Sequence, residues 1–133
     1  MTAPTAPSYL DGLIDRYCDA WGEGDAAHRS AMLAEVLAEG ATYADPTASV
    51  TGVAALATHI GTVLVSKPGA KVSRTSRVDV HHAVARFAWQ MVLADGTALP
   101  EGVATANIGC LTHLQTGMKA PVKHWVEWID ERM

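Results

Sequence analysis

The 133 residues predict an α+β domain: three N-terminal helices packed on a strongly curved antiparallel sheet that encloses a cone-shaped cavity. Three observations carry this. The first half repeats its apolar residues with the period of a helix, and the second half alternates them with the period of a strand. Between them lies Ala41-Thr42-Tyr43-Ala44-Asp45, a short alternating run that stops at an Asp-Pro pair. Helices first and a strand meander afterwards place the helices on one face of the sheet.

Leu10, Leu13, Ile14, Tyr17, Cys18 and Trp21 form one helical face, with Ser8 as its N-cap and residues 1–8 as a flexible leader. Residues 9–133 then make a single domain. Asp25 caps a second helix whose stripe is Met32, Leu33, Val36 and Leu37, and Gly40 ends it. After the short strand to Asp45, Ser49 or Thr51 caps a third helix, on which Val53, Leu56, Ile60, Val63 and Leu64 recur at helical spacing.

Residues 71–80 read as one weakly alternating strand, with Arg74 and Arg86 assigned to the outer face of the sheet. His81-His82 makes a turn. Ala85, Phe87, Trp89, Met91 and Leu93 face one way on the next strand, and Arg86, Ala88 and Gln90 the other. Ala94-Asp95-Gly96-Thr97 is a hairpin signal, and residues 97–114 and 119–129 supply two more strands.

Composition narrows the function classes. Apolar residues make up 49% and charged residues 18%, with a net charge of −4. That is a globular composition, with no basic patch for nucleic acid or anionic lipid and no apolar run long enough to span a membrane. Cys18 and Cys110 read as reduced thiols in a cytoplasmic protein. The six histidines lack ligand spacing, so neither a metal nor a cofactor is expected.

Arg16–Asp25 (RYCDAWGEGD), Ala38–Pro46 (AEGATYADP), the helix from Gly52 to Leu64, and Arg86–Gly96 (RFAWQMVLADG) resemble, in this order, the nuclear transport factor 2-like superfamily. Within it they resemble the SnoaL-like and ketosteroid isomerase-like branch. The resemblance implies a cystatin-like cone and acid/base chemistry of isomerase, cyclase or hydrolase type on a small apolar molecule. It places the general base at Asp45 and a hydroxyl donor at Tyr17. Phe87, Trp89, Met91 and Trp125 match its apolar wall, which Trp21 and His59 extend, His59 as a second acid or base at the rim. The protonated acid that completes the isomerase oxyanion hole is missing: Ala104 takes its place, and Glu101 lies three residues away. A non-catalytic binding or assembly module of the same fold is the alternative, with Asp45 closing a turn. An apolar outer face at Val84, Ala88 and Val92 implies a homodimer.

Overall fold

A computed structural model describes the backbone of residues 5–107 and 125–130 and the side chains of residues 10–107. Its elements are α1 (Thr5–Ala20), α2 (Ala26–Val36), β1 (Thr42–Asp45), β2 (Ala48–Thr51), α3 (Val53–Ser66), β3 (Lys71–Arg74), β4 (Asp79–His81), β5 (Val84–Val92), β6 (Gly102–Asn107) and β7 (Trp125–Asp130). The sheet runs β2-β1-β7-β6-β5-β3, with β4 also paired to β5. It is not closed. Every pairing is antiparallel except β1 with β7, which is parallel. No helix among the described residues is long and apolar enough to cross a membrane.

The helices bury the faces that their periodicity marks. Leu10, Leu13, Ile14, Tyr17, Cys18 and Trp21 of the first stripe are all buried. α1 begins at Thr5, ahead of Ser8. Pro7 is accommodated because N–H groups in a helix's first turn have no intrahelical acceptor. Asp25 caps α2 as the sequence predicts, its Oδ2 accepting the His28 N–H at 2.8 Å. α2 stops earlier than its apolar stripe: Leu37 is extended, and Gly40, at φ +85°, forms the turn before β1. The guanidinium of Arg29, buried between α2 and α3, donates to the Ala57 carbonyl at 3.1 Å and the Glu23 carbonyl at 2.7 Å. These bonds tie α3 and the α1–α2 connection to α2.

Two strands depart from the sequence reading. Residues 48–51 form β2, a hairpin partner of β1 with Asp45 opposite Ala48. Ser49 and Thr51 are thus ladder residues, not caps, and α3 starts from Gly52, whose φ of +91° suits glycine and whose N–H donates to Ala41 O at 2.7 Å. Residues 71–80 are two strands, not one. At the break Ala88 N–H donates to the Ser76 hydroxyl at 2.9 Å, so a side chain replaces a ladder carbonyl and the edge bends. Arg74 does not lie on the outer face: it reaches α1, donating to both Asp15 carboxylate oxygens at 2.7 and 3.0 Å.

β5 alternates as expected, with Ala85, Phe87 and Met91 buried toward the helices. Register sets small residues of β6 opposite its large ones: Phe87 faces Ala104 and Trp89 faces Gly102. A Cβ on Gly102 would lie 2.5 Å from Trp89 Cζ2, so the indole rests directly on the β6 backbone. β6 begins only after Pro100, which has no N–H to give to a ladder. Of the strands expected over residues 97–114 and 119–129, residues 108–114 and 119–124 lie outside the described residues.

His82 and Ala83 join β4 to β5 at φ +50° and +67°, a two-residue left-handed turn without glycine. Ala83→Gly removes one Cβ penalty and raises stability by about 1 kcal/mol in urea denaturation. Gly102→Ala has the opposite effect: displacing Trp89 lowers stability by about 1–3 kcal/mol and changes indole fluorescence.

Candidate functional site

Asp45 ends β1, two residues after Tyr43, so the strand's period of two puts both on one face. The Tyr43 hydroxyl donates to Asp45 Oδ2 at 2.5 Å. The other oxygen, Oδ1, accepts the Thr47 N–H at 2.8 Å and the Thr47 hydroxyl at 2.9 Å. These Thr47 bonds close the β1–β2 turn. The Asp-Pro pair is therefore a turn former, and its carboxylate also faces a cavity.

From α3, His59 Nε2 comes to 3.5 Å from Asp45 Oδ2, with both side chains about 15% exposed (16% and 15%). That nitrogen is buried and makes no hydrogen bond among the described residues. The rings of Trp21, Tyr43 and His59 pack on one another with centroids 5.5–6.0 Å apart. Burial pushes the Asp45 pKa up, but hydrogen bonds from the Tyr43 hydroxyl, from Thr47 and from the Ala48 N–H outweigh it, holding the group below its ordinary value.

The cavity beside this cluster has a volume of about 350 Å³. Trp21, Tyr43, Val63, Trp89, Met91 and Leu99 supply most of its apolar wall, and Asp45, Thr47, Lys67 and Glu101 its polar groups. Of the residues named from sequence, Trp21, Asp45, Trp89 and Met91 thus share one wall, and His59 touches it through Asp45. Tyr17 is a buried residue one ring further back, its ring 6.5 Å from that of Trp21, and is not part of the wall. Phe87 is likewise buried against Ala104, away from the wall. The side chain of Trp125 lies outside the described residues; by register Trp125 pairs with Thr42, while Trp128 falls in the row of Ala104 and Phe87.

Tyr43, Lys67 and Glu101 were not legible as site residues in the sequence. Tyr43 alone left a signal, its i, i+2 relation to Asp45. Glu101 precedes β6, so the alternation of strand faces does not govern it, and it lines the mouth while accepting a hydrogen bond from the Thr75 hydroxyl. Among the described residues no group of three or more His, Cys, Asp or Glu side chains is placed to hold a metal ion.

No family model matches the chain. Among curated proteins, a 34-residue stretch is 44% identical to the glycolate oxidase iron-sulfur subunit of Escherichia coli K12, covering 26% of this chain and 8% of that protein. Solved structures are more informative. A candidate isomerase of the SnoaL-like family from Agrobacterium tumefaciens C58 superposes with a TM-score of 0.70 at 21% identity, over 88% of this chain and 94% of that one. A candidate SnoaL-like polyketide cyclase from Jannaschia sp. CCS1 gives 0.64 at 11% identity, over 99% and 91%. A nuclear transport factor 2-like superfamily protein from Salmonella enterica Typhimurium LT2 gives 0.63 at 14% identity, over 95% and 91%. At these identities the likeness is one of fold, and the chain has the nuclear transport factor 2-like fold in the form shared by SnoaL-like proteins.

Proposed function

We propose that the cavity binds a small apolar carbonyl compound and that Asp45 moves a proton on it, without a cofactor. One observation carries this reading: an ionised carboxylate, fixed by Tyr43 and Thr47 and touched by His59, opens onto a largely apolar wall. A carboxylate so placed can remove a proton next to a carbonyl and return it to a neighbouring carbon. Its lowered pKa makes it a weak base. The substrate must then be a carbon acid already activated, such as a β,γ-unsaturated ketone or a benzylic ketone. His59, behind the carboxylate, stabilises its charge when protonated. The SnoaL-like neighbours described as isomerase and cyclase agree with this class of chemistry.

The second reading is a binding module without chemistry. It is favoured by the same hydrogen bonds, since Thr47 uses Asp45 to close a turn whether or not a substrate is present. The two separate on 2-tetralone, an apolar ketone with an acidic benzylic C–H. In D2O the wild type accelerates its deuterium exchange, followed by proton NMR, and Asp45→Asn loses at least about 100-fold of that acceleration. Binding of the ketone without accelerated exchange supports the module instead.

The acid limb tests the role of Tyr43. A group whose folded pKa is depressed contributes stability above its unfolded pKa and loses it as pH falls through the folded value. Exchange by the same carboxylate persists below the ordinary aspartate range and then falls. Tyr43→Phe removes a hydrogen bond to the ionised form, so the acid limbs of both activity and stability move to higher pH. An unmoved limb in both would show that the Tyr43 contact does not set the charge of Asp45.

We also propose a homodimer through the outer sheet face, where Val84 is exposed and Ala88 and Val92 are half-buried. Light scattering behind size exclusion then reads twice the 14.1 kDa chain mass, and Val84→Lys lowers it to the single mass.

A further inference from the structure

His59 and Val63, at i and i+4, share one face of α3, and Lys67, its C-cap, follows four residues further on. His59 sits at Asp45, and Val63 and Lys67 line the cavity. His59 and Lys67 are thus eight residues, or about 12 Å of axis, apart along the helix.

The charged groups at the cavity are not equivalent. Asp45 is held by Tyr43 and Thr47, and Glu101 by the Thr75 hydroxyl. Lys67 is half-buried, and its backbone N–H is spent on Val63 O at 2.9 Å, closing the helix. Its ammonium makes no hydrogen bond or ion pair among the described residues. The α3 carbonyls favour a cation at this end of the helix, which accounts for a lysine here but not for its place in the cavity wall. An ammonium in a cavity wall without a counter-ion offers a bound anion a charge-assisted hydrogen bond.

We propose that the ligand of this cavity carries a carboxylate, read by Lys67, on an apolar body whose other end lies at Asp45. The proposal rests on the reading of the cavity as a ligand site and adds the class of ligand. The two charges at opposite ends of the apolar wall orient such a molecule. Its anion is drawn to Lys67 and repelled from Asp45, so the carbonyl end is the one that seats at the carboxylate. Glu101, turned toward Thr75, disfavours any ligand whose anion seats on its side of the mouth.

The test uses a matched pair of probes, 2-naphthylacetate and its methyl ester, titrated calorimetrically into the full chain at low and high salt. In the wild type the acid binds about tenfold more tightly than the ester at low salt, the size of one charge-assisted contact, and the advantage shrinks with salt. In Lys67→Met the two probes bind alike, and in Lys67→Arg the acid keeps its advantage. Thermal melts check that the variants fold. Equal binding of acid and ester by the wild type, or an acid preference that survives in Lys67→Met, overturns the proposal and leaves the cavity as a ligand site. Binding of neither probe overturns both.

Discussion

Everything the cavity needs follows from how β5 meets β6. Phe87 and Trp89 project toward the helices from alternate positions of β5, and two bulky side chains on a concave face require room on the adjacent strand. β6 supplies it with Ala104 and Gly102 in register. At Gly102 the fit is absolute, since Trp89 lies against the backbone where a Cβ would be. The two large residues then part company. Phe87 sinks into the core against Ala104, and Trp89, two pairs further along the ladder, is left half-buried as cavity wall. A uniform column of large side chains would fill the cone.

Asp45 has two roles that reinforce each other. As the last strand residue before the two-residue turn Pro46-Thr47 it binds Thr47, and two residues after Tyr43 on the same face it accepts a phenol hydroxyl. Each bond serves the hairpin, and each stabilises the charged form of the carboxylate against the burial that opposes it. Local architecture therefore sets the electrostatics of the site. Removing the turn contacts would free the carboxylate to become a stronger base, but it would also release the strand end that aims it.

Legibility in the sequence tracked the range of the interaction. The helical stripes and the alternation of residues 85–93 depend on near neighbours, and both survive into the structure. The second strand of the hairpin was hidden because Ser49 and Thr51 suit a helix cap as well as a short edge strand, and pairing with β1 decides between them. Arg74 was misread because its partner, Asp15, lies on α1 across the whole helical half of the chain. The site divides the same way. Asp45 and the β5 wall were marked by pattern. His59 could be named, but only the packing of α3 over β1 places it at Asp45. Tyr17 packs edge-on to Trp21, whose other neighbour is Tyr43, and it is Tyr43 that donates to Asp45, a contact that depends on β1 rather than on α1.

The placement of charge completes the argument. In an apolar cavity each ionised group must be compensated locally or by what binds there. Asp45 and Glu101 are compensated by hydroxyl and amide donors from nearby segments, so neither requires a ligand to be stable. Lys67 is supported only by the carbonyl end of its helix, a weak and diffuse field beside a direct hydrogen bond. The asymmetry of the cavity lies along α3, the element that also brings His59 to the base. One helix therefore carries both His59, which packs at Asp45, and the charge to which the proposed ligand would bind.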